Sequence, residues 1–288
     1  MRVMRWLLCG LAIVVGLVAF SWRDTFEPDS LSGARVLLTG ASTGIGEQMA
    51  YHYARFGAQL VLTARREAEL QKVAQRCLKL GAKKAVYYAA DMASPPESEK
   101  LAHFALQNLG GLDYVVLNHI GWTPFRMWDG DVDHARWLMQ VNFISSVAIA
   151  SAALPDLAKS KGSLIVISSL AGRIAMPFTS IYSATKFALE GFFASLRNEL
   201  VMQKKDVSIT MCVLGLIDTE SALNKTKGIV NQEAAPASEA ALAIVKGGAT
   251  RAMEVFYPWT TQLICGVRDW FPAQRDWILR DSYNYTTN

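Results

Sequence analysis

The chain has 288 residues, 51% of them hydrophobic and 19% charged, enough for one large α/β core with a short extra segment. Its formal net charge of +4 comes from lysines and arginines scattered without a long basic run, which argues against nucleic acid as a partner. No internal repeat is visible, and Cys9, Cys77, Cys212 and Cys265 lie too far apart for a CxxC redox motif or a cysteine zinc site, so no metal is expected.

Residues 1–22 open with Arg2 and Arg5 and continue as an apolar run from Trp6 to Trp22. At ~1.5 Å per residue the run spans roughly 25 Å, the short end for a membrane crossing. Arginines precede it, and Asp24, Glu27 and Asp29 follow it, so the N-terminus is expected in the cytosol and the body beyond the membrane. An uncleaved anchor is the first reading. The second is a signal peptide removed near Ala19-Phe20-Ser21. The sequons Asn224-Lys225-Thr226 and Asn284-Tyr285-Thr286 are compatible with either. Residues 23–32 read as a linker, 33–258 as one domain, and 259–288 as a hydrophobic extension.

The domain begins with Arg35-Val36-Leu37-Leu38-Thr39, an apolar strand suited to a buried parallel sheet. It runs straight into Gly40-Ala41-Ser42-Thr43-Gly44-Ile45-Gly46, and a helix pattern follows to Phe56. A glycine-rich turn between strand and helix lets backbone N–H groups approach a pyrophosphate at a helix N-terminus. The second strand, Gln59 to Thr63, ends at Arg65 and Arg66, where an NAD site would want an acidic residue. An arginine there can clamp a 2′-phosphate instead, so NADP is expected over NAD. A helix over Glu67 to Leu80 leads to a third strand, Lys84 to Ala90, closed by Asp91 and Met92 where an adenine would lie. After a helix reaching Leu109, a fourth strand over Asp113 to Leu117 ends in Asn118, His119 and Ile120. His119 beside a strand end reads first as structural.

Val132 to Ala158 reads as one long helix carrying Asn142, a polar group that must be bonded if buried, either to a neighbouring backbone or to a functional water. Strand five, Ser163 to Ile167, closes at Ser168-Ser169. The next helix, Ser180 to Gln203, carries Tyr182 and Lys186, four apart and therefore on one face. An ammonium beside a phenol favours the phenolate and is expected to lower a pKa that starts near ~10. With Ser169 nearby, the group could hold a substrate oxygen and move its proton. A sixth strand, Val207 to Leu214, leads through Gly215 to Ile217, Asp218, Thr219, Glu220 and Ser221, then a flexible stretch to Pro236, a helix to Thr250 and a last strand, Glu254 to Tyr257. The βα alternation implies a doubly wound, Rossmann-type parallel sheet with its ligand crevice at the strand C-terminal ends. In the tail, Trp259, Trp270, Phe271 and Trp277 could meet a bilayer, line an entrance, pair two copies or pack in the core.

The segment Thr39 to Gly46, taken with Asn142, Ser169, Tyr182 and Lys186, resembles the short-chain dehydrogenase/reductase family from about Ser32 to Tyr257. Leu117-Asn118-His119-Ile120 and Val213 to Glu220 resemble the hydroxysteroid dehydrogenase branch of that family. The resemblance implies an NADP(H)-dependent interconversion of a secondary alcohol and a ketone on a small lipophilic substrate, a steroid first or another lipophile; the alternative is a cofactor-binding protein without turnover, against which the intact Ser169, Tyr182 and Lys186 speak. It implies Tyr182 as acid/base, Lys186 on that phenol and the nicotinamide ribose, Ser169 on the substrate oxygen, and Asn142 behind a relay water. Gly40 to Gly46 would carry the pyrophosphate, Arg65 with Arg66 the 2′-phosphate, and Asp91 and Met92 the adenine. Asn118 to Ile120 would line the ribose, and Ile217 to Ser221 would cover the carboxamide. Position 43 is Thr, where the branch has a basic residue. The resemblance further implies an endoplasmic-reticulum membrane protein with a lumenal catalytic domain, secreted if the leader is removed, and long helices able to pair into a homodimer.

Overall fold

The computed structural model describes residues 25–284. The apolar segment 1–22, Cys9 and the end of the second sequon lie outside the described residues. Strands β1 (Arg35–Thr39), β2 (Gln59–Ala64), β3 (Lys84–Ala89), β4 (Tyr114–Leu117), β5 (Ser163–Ile167) and β6 (Ser208–Leu214) form a parallel sheet, which Glu254–Tyr257 completes. The seven strands take the order β3-β2-β1-β4-β5-β6 and then that last strand. The helices are α1 (Gly44–Arg55), α2 (Glu67–Leu80), α3 (Pro95–Leu109), α4 (Val132–Met139), α5 (Ser145–Ser160) and α6 (Ser180–Met202), followed by α7 (Glu220–Thr226) and α8 (Ala237–Ala249). Two short strands, β7 (Ile217–Asp218) and β8 (Ala235–Pro236), pair beside the main sheet, so its last strand is β9.

The period-two direction of side chains explains why β1 is apolar throughout. Val36 and Leu38 enter one core with Met49, Tyr53, Leu60 and Ile244, beneath α1 and α8. Leu37 points the other way, into a second core with Leu101, Ile149 and Phe193 from α3, α5 and α6. At the start of β1, Arg35 ties the sheet to β4 through a two-pronged pair with Asp113, at 2.7 and 2.9 Å. Sequential strands continue outward in opposite directions from β1 and β4, which opens a crevice between their C-terminal ends.

The long helix expected from Val132 is interrupted. Residues Gln140–Ile144 form a π turn between α4 and α5. The combined helix is long and apolar enough to cross a membrane, yet much of it is buried against α3 and the sheet as a core element. The stretch expected to be flexible after Glu220 holds α7. The tail forms α9 (Thr260–Val267) and α10 (Pro272–Asp281). Trp259, Trp270, Phe271 and Trp277 are 61–72% exposed, so core packing does not account for them. Cys77 and Cys212 are buried free thiols, and Cys265 is a partly buried one.

Phe193 is fully buried at the centre of the second core. Phe193→Ala is expected to destabilise the protein by about 3–5 kcal/mol in denaturant unfolding, whereas Met202→Ala, on an exposed helix end, should change it by less than about 0.5 kcal/mol.

Candidate active site

β1 ends at Thr39, and the chain turns at Gly40 (φ +65°) and Gly44 (φ +61°), a left-handed backbone that side chains resist. Gly46 is constrained by space instead: a Cβ there would lie 2.1 Å from the Gly40 carbonyl oxygen and 2.6 Å from the Asn118 amide. Asn118, at the end of β4, fixes the turn by donating to the carbonyls of Thr39 and Gly40, both at 3.1 Å. The cradle therefore brings the free N–H groups of the first turn of α1 to a groove of about 960 Å³, a size and chemistry that fit a dinucleotide's phosphates.

Ser42, Thr43, Gly44, Ile45 and Gly46 line this groove, with Arg65, Arg66, Asp91, Met92, Asn118, His119 and Ile120. Thr219, Glu220 and Ser221 close its far side. Arg66 reaches over the glycine loop and donates to Thr43 Oγ1 at 2.8 Å, which puts a cation at the loop although position 43 carries none. Arg65 stays exposed beside it. Two expected contacts fall elsewhere. Ala41 is fully buried in the core, because its N–H donates to Thr63 O (3.1 Å) and its methyl packs inward. Asp218 is exposed on β7 and lines neither the groove nor the adjoining cavity. Ile217 lines that cavity rather than the groove.

The cavity, about 290 Å³, brings Ser169, Tyr182 and Lys186 together. Ser169 caps a short 3₁₀ turn, its hydroxyl accepting from the Ala171 N–H at 3.2 Å. Lys186 is 3% exposed and donates to the Ile167 carbonyl at 2.7 Å, with its ammonium 5.6 Å from the centre of the Tyr182 ring. Burial lowers its pKa to about 8, opposed by the charge of Glu190 one turn on. Burial also raises the Tyr182 pKa, while a hydrogen bond from Ser169 pulls it down. The phenol thus sits above its ordinary value, not below it as the helix spacing suggested. Desolvation of the hydroxyl outweighs the Ser169 hydrogen bond, and the ammonium is directed at Ile167.

Asn142 lies in the π turn and is 1% exposed. Its Oδ1 accepts from the Gly121 N–H at 2.7 Å, and its Nδ2 donates to Thr185 Oγ1 at 3.0 Å. The side chain is therefore spent on fixing the loop after β4 and the helix of Tyr182 and Lys186. The Gly121 contact is of the backbone-holding kind, and Asn142 lines neither the groove nor the cavity. Thr185, between Tyr182 and Lys186, was not legible as a site residue, because only the folded chain brings it to Asn142.

His119 bridges the same elements. Nδ1 lies 2.8 Å from Thr39 Oγ1, and Nε2 lies 3.0 Å from the Val141 carbonyl and 2.7 Å from Ser145 Oγ. Burial, helped by the charge of Lys186, lowers the His119 pKa to about 4, so the ring is neutral and structural. The cavity's outer wall comes from distant parts of the chain: Phe125 and Tyr283 line it, and both stack on Phe178, at 5.6 and 5.5 Å between centroids.

Residues 34–229 match the family described as short chain dehydrogenase. The chain is 63% identical over 279 residues to the Gallus gallus hydroxysteroid 11-beta-dehydrogenase 1-like protein, covering 97% of this chain and 96% of that one. Among solved structures, a Burkholderia phymatum short-chain dehydrogenase/reductase in complex with NAD superposes with a TM-score of 0.75 over 85% of this chain and 96% of its own, and at 17% identity it speaks to the fold alone. A Burkholderia cenocepacia short-chain dehydrogenase in complex with NADP matches at 26% identity, with a TM-score of 0.67 over 78% of this chain and 96% of its own.

The His119 assignment has a pH signature. The unfolded chain takes up a proton at this ring near 6.5, while the folded chain refuses it until about 4. Its stability contribution is therefore complete above 6.5 and lost as the pH falls to about 4. His119→Gln is expected to flatten the fall of unfolding free energy over that window, measured by urea titration at several pH values. An equally steep fall in the variant would contradict the assignment.

Proposed function

The chain belongs to the short-chain dehydrogenase family, and on that basis we propose that it interconverts a secondary alcohol and a ketone on a lipophilic substrate, using NADP(H). The observation that carries this reading is the convergence of Ser169, Tyr182 and Lys186 in an apolar-walled cavity that shares Asn118, Ile45 and Thr219 with the dinucleotide groove. When bound, the nicotinamide supplies or accepts the hydride. The chain's own residues handle the proton. Tyr182 Oη gives it to the carbonyl oxygen in reduction and takes it from the hydroxyl in oxidation, while Ser169 Oγ holds the same oxygen. Lys186, anchored on Ile167 O, is placed to hold ribose hydroxyls and keep a positive charge near the phenol. Asn142 and His119 act through position, setting the helix and loop that carry these groups.

Arg65 and Arg66 support NADP over NAD. Both line the groove at the end of β2, and no carboxylate stands at either position to hold a ribose 2′-hydroxyl. A steroid is the first candidate substrate, because the 63% identical relative bears a hydroxysteroid dehydrogenase-like name. The cavity's aromatic wall suits other fused-ring or polyene lipophiles as well. Exposed Trp259, Trp270, Phe271 and Trp277 support contact with a bilayer, in keeping with the apolar run of residues 1–22 and an endoplasmic-reticulum membrane location.

Tyr182→Phe is expected to lower turnover of a steroid and non-steroid carbonyl panel by about 10²–10⁴-fold while NADP(H) still binds in fluorescence titration. Near-normal turnover in that variant would remove Tyr182 from its role. Replacing Arg65 and Arg66 together by alanine should cut the NADP-over-NAD preference in kcat/KM by about tenfold or more. An unchanged ratio would place 2′-phosphate recognition elsewhere. The raised Tyr182 pKa keeps the proton donor charged with its proton at neutral pH. Ketone reduction should therefore hold through neutrality and fall above about 8, where Lys186 loses the charge that steadies the site. Alcohol oxidation, which needs the phenolate, should rise only at higher pH, where the raised Tyr182 phenol ionises. Initial rates in both directions across pH check this.

A further inference from the structure

Helix α7 borders both the dinucleotide groove and the substrate cavity, and Lys225, in its last turn, lines both. Exposed lysines elsewhere pair with carboxylates one turn away, as in Lys72–Glu69, Lys100–Glu97 and Lys159–Asp156. Lys225 is partly buried, has no hydrogen bond or ion pair among the described residues, and feels only desolvation, which lowers its pKa. A half-desolvated ammonium is costly without a counter-charge.

The rest of the cavity sharpens the point. Its lining carries two ammonium groups, Lys186 and Lys225, and no carboxylate. Lys186 is anchored on Ile167 O and faces the ribose in the reading above, whereas Lys225 has no protein partner among the described residues. Gln232 and Thr226 line the same cavity, the first with an amide and the second with a hydroxyl whose own proton goes to Ala222 O at 2.9 Å. The phosphates of a dinucleotide have their own partners in the glycine loop, the N-terminus of α1 and the two arginines after β2.

We propose that Lys225 receives an anionic end of the substrate, a carboxylate or sulfate, so that the cavity is built for a lipophile bearing an anion remote from its reacting carbon. The position of that carbon at Tyr182 rests on the hydride-transfer reading above, while the anion site itself does not. The attraction is that of one charge-assisted contact in a partly desolvated setting.

The test reads binding rather than turnover. Isothermal titration of the full chain with saturating NADP⁺ uses two pairs of probes: dehydroepiandrosterone 3-sulfate with its unconjugated parent, and 12-oxooctadecanoate with its methyl ester. At least one anionic member is expected to bind about tenfold or more tightly than its neutral partner, and Lys225→Met is expected to bring the two affinities together, with Lys225→Arg restoring the difference. No binding of either anion, equal affinities in the natural protein, or a preference that survives Lys225→Met overturns the proposal. So does a Lys225→Met variant that weakens NADP⁺ itself about tenfold and leaves the anion preference intact, since the ammonium would then serve the cofactor's phosphates. A preference lost with Lys225 in a protein that turns over no carbonyl would uphold the anion site and sink the hydride-transfer reading alone.

Discussion

Thr39 closes β1 with its hydroxyl against β4, and the active-site region is assembled from that junction. The hydroxyl meets the N–H of Asn118 at 2.8 Å and the His119 ring at 2.8 Å. Asn118 then reaches back to hold the glycine turn, and His119 reaches forward to the π turn at Val141. One step further, Asn142 grips Gly121 and Thr185. The result is a continuous set of hydrogen bonds from the phosphate cradle to the helix of Tyr182 and Lys186. It runs across the place where the strand order reverses, the place where an open α/β sheet has room for a ligand. Buried polar networks of this kind are costly when partly satisfied and rigid when complete, and here every member has a partner.

Burial is the second lever, and it acts in one direction on three groups. It holds His119 neutral, brings Lys186 to about 8 and lifts Tyr182. The phenol therefore keeps its proton at neutral pH, ready for donation, and Lys186 remains the charge that steadies it. Below Lys186, Glu190 adds the opposing charge and is itself held by Arg173 at 2.8 Å, which also bonds Glu254 on β9. The Lys186 ammonium is thus tied electrostatically to the far edge of the sheet. This coupling comes from helix periodicity, since Lys186 and Glu190 are one turn apart.

Much of this was legible in the chain. Val36 to Leu38 reads as a strand buried on both faces, and the glycines that follow it fall where only a tight turn and a close backbone approach make sense. Tyr182 and Lys186 share a face by simple periodicity, and that placement is observed. Their electrostatics were not legible, because pKa direction depends on desolvation, which no local pattern records. Asn142 announced itself as a polar residue in an apolar helix, but the π turn around it did not, since the residues Gln140 to Ile144 have no composition that marks one. Ala41 and Asp218 sit within contact motifs yet point away, one into the core and one to solvent. Phe178 and Tyr283 meet only after the chain has folded over a separation of about a hundred residues, which periodicity cannot bridge. Lys225 is marked in the sequence only as part of a sequon, and only the fold shows it lining the cavity with no partner among the described residues.

Direct hydride transfer to a carbonyl whose oxygen is held by Ser169 and Tyr182 is the step on which the proposed function rests. The most direct measurement uses NADPH carrying deuterium at nicotinamide C4 with a ketone that the protein reduces, and mass spectrometry of the alcohol formed. The account predicts one deuterium per product molecule on the carbinol carbon, from one face of the nicotinamide only, in the natural protein and not in Tyr182→Phe. An unlabelled alcohol, or deuterium found elsewhere in the product, would contradict it.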